Sequence, residues 1–114
     1  MSCFEKIKQN RDFRKIYGRG RNFVHPAFVT YAMKNGSDKT RLGITVSKKL
    51  GGAVLRNRAK RLITAAFREC LPSLKSGYDF VFVARSRIFL LKSTDIAALM
   101  TEDFEKAELL IKDE

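Results

Sequence analysis

This sequence of 114 residues contains little of what most catalytic and membrane-bound proteins require. It has one histidine, two cysteines and no tryptophan. Cys3 and Cys70 lie far apart, without a metal-ligand or redox spacing. With His25 as the single histidine, a zinc site or a Ser–His or Cys–His catalytic pair has little to build from. The longest apolar runs, such as residues 80–84, are five residues long, far shorter than the roughly 20 residues that span a bilayer. Residues 1–6 lack the apolar core of a secretory signal, and a cytoplasmic protein is therefore expected.

Positive charge, by contrast, is present in excess and is unevenly distributed. Lys and Arg number 23 against 12 Asp and Glu, for a formal net charge of +11. Residues 1–61 carry a net charge of +13, residues 62–92 carry +3 and residues 93–114 carry −5. Such a concentration attracts polyanions, which favours a nucleic-acid partner over a generically basic surface. An anionic membrane is disfavoured because the bases are interleaved with short strands instead of lying on one long amphipathic helix.

The hydrophobic pattern predicts the order helix, strand, strand, helix, strand, helix in a single α+β domain spanning residues 1–114. The predicted elements are a helix at 11–17 between Asn10 and Gly18, strands at 27–33 and 41–47, a helix from Gly51-Gly52 to about Cys70, a strand at 79–85, and a helix at 94–111 capped by Ser93 or Thr94.

The same pattern predicts how these elements are arranged. The first two strands are expected to form a hairpin, and the nearly all-apolar third strand is expected to lie centrally in a small mixed sheet. The helices are expected to pack on one face of that sheet. Residues 41–85 are a candidate crossover between parallel strands, and the general rule predicts a right-handed one.

The helix that ends near Cys70 has an apolar side and a basic side. At about 100° per residue, the apolar side comprises Leu55, Ala59, Leu62, Ile63, Ala66 and Cys70. The opposite side comprises Asn57, Lys60, Arg61, Thr64 and Arg68, flanked by Arg56 and Arg58. Most of these cations lie in the first turns, where the helix dipole disfavours them, and the first turns contain no acid to offset them. Phosphate binding is favoured over an ordinary solvated face, because phosphates accept bidentate Arg and free backbone N–H groups.

Aromatic residues are interleaved with bases in the N-terminal half of the chain. The aromatic residues are Phe13, Tyr17, Phe23, Phe28 and Tyr31, and the bases among them are Arg14, Lys15, Arg19 and Arg21. Unpaired bases of a nucleic acid stack on exposed aromatic side chains, each contact being worth about 1–3 kcal/mol. The competing interpretation places these side chains in the core, and the sequence leaves both open. His25, just before Pro26, is expected to be structural or exposed.

Carboxylates suited to nuclease chemistry are scarce. Protein nucleases usually cluster acids around metal ions or use a His general base. The acids Asp12, Asp38, Glu69 and Asp79 are isolated in the sequence, and Glu102, Asp103, Glu105 and Glu108 are interpreted as a solvated face of the terminal helix. The chain is therefore expected to bind nucleic acid without cleaving it on its own.

The residues of the basic helix and its approach resemble the protein subunit of bacterial ribonuclease P. The similarity lies in Ser47-Lys48-Lys49, Gly51, Ala53-Val54 and Arg56-Asn57-Arg58-Ala59-Lys60-Arg61, which match that family's arginine-asparagine-arginine signature. Asp12-Phe13, Tyr17, Gly20 and the stretch from Phe28 to Tyr31 are similar to the family's N-terminal helix and first long strand. The resemblance extends over roughly residues 5–111.

This resemblance implies a fold and an activity. The implied fold is ribosomal protein S5 domain 2-like with a left-handed βαβ crossover, which replaces the general expectation of a right-handed one. The implied activity is that of an endoribonuclease in which a partner RNA, using Mg²⁺ that the RNA holds, removes the 5′ leader of precursor tRNA. The protein subunit would bind the catalytic RNA and the single-stranded leader, without a tightly bound cofactor, a membrane contact or another evident protein partner.

The resemblance also implies roles for individual residues. The signature residues Arg56, Asn57, Arg58, Lys60 and Arg61 would face RNA, chiefly the catalytic RNA. The leader-binding cleft would contain Phe13, Tyr17, Tyr31, Lys48 and Lys49. The signature commonly continues with another Arg where this chain has Thr64, and Arg68, on the same helix face, is expected to substitute for it. The alternative is a ribosomal or other structural RNA-binding protein, and a stand-alone metal-dependent endonuclease is a third hypothesis.

Overall fold

The computed structural model describes residues 3–111, which form a mixed five-stranded sheet and three helices. The elements in chain order are β1 (Glu5–Lys6), α1 (Asn10–Arg19), β2 (Arg21–Val24), β3 (Phe28–Lys34), β4 (Arg41–Thr45), α2 (Ala53–Cys70), β5 (Tyr78–Ala84) and α3 (Ser93–Lys106). Short 3-10 turns occupy Lys48–Leu50, Leu71–Ser73 and Ser86–Leu90. The predicted α+β class is confirmed, and β1 and β2 are additions to the predicted order.

The sheet has the strand order β1-β4-β5-β3-β2. The apolar strand β5 is central, as predicted, because its side chains are apolar toward both faces. It pairs in parallel with β4 and antiparallel with β3. The predicted crossover from β4 through α2 to the parallel strand β5 is therefore confirmed.

The predicted hairpin of β3 and β4 is wrong, because β5 lies between these two strands. The turn that follows Lys34 does reverse the chain, and Asn35 donates its backbone N–H to Gly77 O at 2.9 Å. This hydrogen bond joins the turn to the residue before β5, and it does not close a hairpin of β3 and β4. A local turn signal specifies a reversal of direction, but it does not specify whether a third strand inserts between the two arms.

The two faces of the sheet carry separate apolar clusters, and the prediction that all helices share one face is wrong. Side chains alternate along β5, so that Phe80 and Phe82 pack under α2 and α3 while Val81 faces the other side. There Val81 packs with Ile7 and with Ile16 of α1. A central strand that is apolar on both faces requires cover on both, and α1 supplies it on the second face.

Two helix boundaries differ from their predicted positions. Helix α1 runs through Gly18, and it ends before Gly20, where a Cβ atom would lie 2.7 Å from Ile16 O. Helix α3 ends at Lys106 instead of residue 111, because Glu108 adopts a left-handed φ of 59°. The chain then pairs with the segment after α2, since Lys75 donates its N–H to Leu109 O at 2.8 Å.

Two acids that the sequence left isolated or exposed are buried and paired. Asp79 accepts hydrogen bonds from Arg41 at 2.6 and 2.8 Å. This hydrogen-bonded carboxylate raises the pKa of Arg41 above its ordinary value, against the opposing effect of burial. Asp103 is 1% exposed and accepts from His25 Nε2 at 2.8 Å, so it does not belong to a solvated acidic face. A long-range contact of this kind leaves no signal in the local sequence. His25 is therefore structural, which is one of the two roles predicted for it.

Candidate nucleic-acid interface

Helix α2 presents the predicted cations away from the core. Asn57, Arg58, Lys60, Arg61 and Arg68 are exposed, whereas Ala59, Ile63, Ala66, Phe67 and Cys70 are buried. Two details differ from the predicted faces: Leu55 is 41% exposed, and Phe67, absent from the predicted apolar side, is buried. The predicted separation of an apolar and a basic side is otherwise confirmed.

The first turn of α2 leaves its backbone donors and its cations without acidic partners. Gly52 at the N-cap provides no side-chain cap, and the first turn contains no acid. Arg56 is half-buried, and its Nε is buried without a hydrogen-bond partner within residues 3–111. Within the same residues, the salt bridges involve only His25, Lys39 and Arg41 as bases. The positive charge of α2 is therefore not neutralised by the described part of the chain.

A shallow cleft of about 470 Å³ is lined by four exposed cations. Its cationic lining consists of Lys6, Lys60, Arg61 and Arg68. Asn57, Thr64 and Ala65 complete the wall, while Arg56 and Arg58 lie outside it. Lys6 was missed by the sequence analysis because it belongs to β1, a strand of two residues that is too short for periodicity to detect.

A second cleft, of about 290 Å³, connects the basic helix to α1. It shares Lys6, Lys60, Thr64 and Arg68 with the first cleft and extends to Phe13, Gly43 and Ile44. It lies beside the part of β4 that β1 leaves uncovered, because β1 pairs only with Arg41 and Leu42. The aromatic candidate Phe13 and the cationic candidates Lys60 and Arg68 therefore line one cleft.

The three aromatic residues assigned by resemblance to the leader cleft form a cluster. The ring centroids of Phe13 and Tyr17 are 6.3 Å apart, and those of Tyr17 and Tyr31 are 5.0 Å apart. A hydrogen bond of 2.6 Å joins the hydroxyls of Tyr17 and Thr45. Tyr17 is 37% exposed, and its two neighbours are half-buried. We call Phe13, Tyr17 and Tyr31 the aromatic cluster.

The other two aromatic candidates lie apart from this cluster. Phe28 is fully buried in the main core, so the core interpretation applies to it. Phe23 is half-buried on the edge strand β2, with Arg21 Cζ 5.5 Å from its ring centroid.

Lys48 and Lys49 are exposed in the turn that follows β4. The turn is held by Ser47, whose hydroxyl accepts the N–H of Lys49 at 3.2 Å. Because β4 and β5 are parallel, the chain beyond β5 leaves the sheet at the same end, and it places the exposed Arg85 and Arg87 there. Sequence reasoning missed these two arginines, since only strand pairing brings them to the end that also carries Lys48 and Lys49.

The fold and this surface are those of a small basic α+β RNA-binding protein. Within residues 3–111, no helix combines the length and the apolar character needed to cross a bilayer. Comparison with known proteins makes the assignment specific. The sequence model of the Ribonuclease P family matches residues 1–108.

Similar proteins and structures agree with that match. The ribonuclease P protein component of Clostridium acetobutylicum is 40% identical over 111 residues, covering 96% of this chain and 93% of the relative. That of Clostridioides difficile is 49% identical over 80 residues, or 69% of this chain and 70% of the relative. The RNase P protein structure from Staphylococcus aureus superposes with a TM-score of 0.80 at 34% identity, covering 96% of this chain and 100% of that one. The RNase P protein structure from Thermotoga maritima superposes with a TM-score of 0.77 at 27% identity, covering 96% of this chain and 99% of that one. The chain belongs to the ribonuclease P family, as its protein component.

Proposed function

We propose that this protein binds the RNA subunit of ribonuclease P through α2 and the single-stranded 5′ leader of precursor tRNA through the aromatic cluster. The observation that carries the proposal is the cleft that Phe13 lines together with Lys60 and Arg68. In this proposal the RNA subunit contains the active site, and the protein assists cleavage in the cytoplasm.

The basic side of α2 suits the backbone of a folded RNA. Its cations project from a rigid 18-residue helix, and within residues 3–111 they have no carboxylate in a salt bridge. Clustered like charges repel one another, and phosphates relieve that repulsion while releasing counterions from the RNA. Arg side chains add bidentate hydrogen bonds to phosphate oxygens.

The aromatic cluster suits a strand whose bases are unpaired. Bases stack on aromatic faces only when they are free of a helix, which describes a single-stranded leader and not the body of tRNA. In this proposal, Lys48 and Lys49, exposed just beyond β4, bind phosphates of the same strand. The leader is absent after cleavage, so stacking on this cluster would favour substrate over product.

The proposal assigns the Mg²⁺ of the reaction to the RNA. Within residues 3–111, no three His, Cys, Asp or Glu side chains lie close enough together to hold a metal ion. The buried carboxylates Asp79 and Asp103 are already hydrogen-bonded to Arg41 and His25. The protein's own contribution is then to bind and orient RNA.

Reconstitution tests the proposal. Purified protein, the ribonuclease P RNA from the same genome, and precursor tRNA are combined with Mg²⁺, with each component omitted in turn. We expect leader removal with both subunits to be faster at low substrate concentration than with RNA alone, and no cleavage by protein alone. Cleavage by the protein alone would indicate a stand-alone endonuclease. No effect of the protein on the RNA reaction would favour the structural RNA-binding alternative.

A further inference from the structure

The short strand β1 brings the N-terminal segment against the basic helix. Ile7 donates its N–H to Leu42 O at 2.9 Å and packs on the face of the sheet that α1 covers. Because side chains alternate along an extended segment, Phe4 and Lys6 point to the opposite face, where α2 lies. Phe4 accordingly packs on the cluster under α2, and Lys6 lines both clefts beside α2.

The ring of Phe4 lies between the core and a cation of the cleft. Its centroid is 5.5 Å from that of Phe67, with the two rings nearly perpendicular at 87°. The Phe4 ring also contacts Arg68, whose Cζ atom lies 5.1 Å from the ring centroid, within the range of a cation–π interaction. Phe67 is fully buried, so it anchors Phe4, and Phe4 in turn supports the guanidinium of Arg68.

The supported guanidinium borders a cleft lined by three other cations. Lys6, Lys60 and Arg61 line it with Arg68, and the described lining contains no carboxylate. Four cations around one cleft repel one another unless a polyanion occupies it. An Arg side chain that is already held in place loses less rotamer freedom when it binds phosphate than a free one does.

We propose that Phe4 is a positioning residue that holds Arg68 for a phosphate, and that Lys6 and Arg68 form, with Lys60 and Arg61, a site for the backbone of an RNA strand. This inference rests on the proposed function and adds the N-terminal strand to the RNA-binding surface.

A double-mutant cycle tests the role of Phe4. The variants are Phe4→Leu, Phe4→Tyr, Arg68→Gln and the Phe4→Leu/Arg68→Gln pair, and the probe is the ribonuclease P RNA from the same genome, bound over a KCl titration. Arg68→Gln should reduce affinity about five- to tenfold and the salt slope by just under one unit. Phe4→Leu should reduce RNA affinity about threefold. Phe4→Tyr should keep nearly the affinity of the unmodified protein, because its ring also binds cations. In the double variant, Phe4→Leu should cause no loss of RNA affinity beyond that caused by Arg68→Gln.

Two exposed lysines test the cleft without disturbing the core. Lys6→Gln should weaken RNA binding and reduce the salt slope by just under one unit, whereas Lys75→Gln, outside both basic clefts, should leave both nearly unchanged. Melting temperatures are measured for every variant. Phe4→Leu keeps an apolar contact with Phe67, so only a small decrease is expected.

Three results would overturn the inference. The first is a loss from Phe4→Leu that is equal in the presence and absence of Arg68, which would reduce Phe4 to packing. The second is a loss of RNA affinity from Phe4→Tyr as large as that from Phe4→Leu. The third is an effect of Lys6→Gln on RNA binding no larger than that of Lys75→Gln. Arg58→Ala, outside the cleft, is the reference for the proposed function. If Arg58→Ala weakens RNA binding while the Phe4 and Lys6 variants do not, only this inference fails. If none of the variants changes RNA affinity, the proposed function fails as well.

Discussion

Gly43 lies directly beneath the ring of Phe13. A Cβ atom at position 43 would come within 2.6 Å of Phe13 Cε1 and 2.8 Å of its Cζ, distances that real Cβ atoms do not adopt. The absence of a side chain in β4 therefore sets the depth at which α1 approaches the sheet, and with it the position of one member of the aromatic cluster. The aromatic cluster is built on this close contact between a strand and a helix.

Gly43→Ala is expected to push the Phe13 ring outward and destabilise the protein by about 1–3 kcal/mol, the usual cost of overpacking. In a Phe13→Ala background the same change should be nearly neutral, because the ring that it displaces is gone. Urea unfolding of the four proteins in this cycle measures both effects. Gly18→Ala, a position in α1 with nothing within 4 Å of a new Cβ, should stabilise the protein by up to about 1 kcal/mol. Equal destabilisation in both backgrounds would contradict the packing described for Gly43.

Arg58→Ala and Arg61→Ala are expected to weaken binding to the ribonuclease P RNA while leaving the fold unchanged. Both side chains are exposed on α2, away from the buried stripe. Each lost phosphate contact should lower the slope of log affinity against log salt by a little under one unit. The measurement is an affinity titration at several KCl concentrations, with a melting curve for each variant. Unchanged affinity and slope in both variants would show that this side of α2 does not face RNA.

Tyr31→Ala and Phe13→Ala are expected to weaken binding of precursor tRNA to the assembled enzyme by about 1–3 kcal/mol each, because stacking requires an unpaired base. Affinity for mature tRNA, and assembly with the RNA subunit, should be nearly unchanged. Tyr78→Ala is the matched control, since Tyr78 is half-buried on β5 and packs on the opposite face of the sheet. It should lower stability without changing the preference for precursor over mature tRNA. Equal losses for both tRNAs in a stably folded Tyr31 variant would contradict the stacking role.

Sulfate or phosphate is expected to raise the melting temperature above that in chloride at matched ionic strength. Anions bound only by the folded state stabilise it by mass action, and the uncompensated charge of α2 provides the site. Sulfate also stabilises proteins through exclusion from their surfaces, so the comparison is repeated with an Arg58→Ala/Lys60→Gln/Arg61→Ala variant. The increase should be smaller in that variant. An identical increase in both proteins would argue against an anion site on α2.

Asp103→Asn is expected to lower the free energy of unfolding by about 1.5–3 kcal/mol, the range for a hydrogen bond to a charged group. Asp103 is buried, and its carboxylate accepts from His25 Nε2 at 2.8 and 2.9 Å, which joins α3 to the turn after β2. Glu102→Gln, at the adjacent exposed position, is the control and should change little. Urea denaturation of both variants makes the comparison. Equal and small effects would show that the pair contributes no more than a surface contact.

Several features were predictable because they depend on local periodicity and composition. The basic and apolar sides of α2 follow from the 3.6-residue repeat, and the central position of β5 follows from its apolar side chains on both faces. The α+β class follows from the number and kind of elements. The resemblance to ribonuclease P proteins rests on a contiguous signature at residues 47–61, and the family match over residues 1–108 confirms it. These properties reside in stretches short enough for neighbouring residues to determine them.

Only the tertiary structure decided which distant segments meet. The insertion of β5 between β3 and β4, the placement of α1 on the second face, and the burial of Asp103 against His25 all depend on contacts between residues far apart in the chain. The same is true of Phe4 and Lys6, which join the basic helix through a two-residue strand that has no periodicity of its own. Local propensity acts over a few residues, whereas strand pairing and core packing are selected by the burial of the whole apolar surface at once. The sequence therefore determined the chemistry of each surface, and the fold decided which of those surfaces lie next to one another.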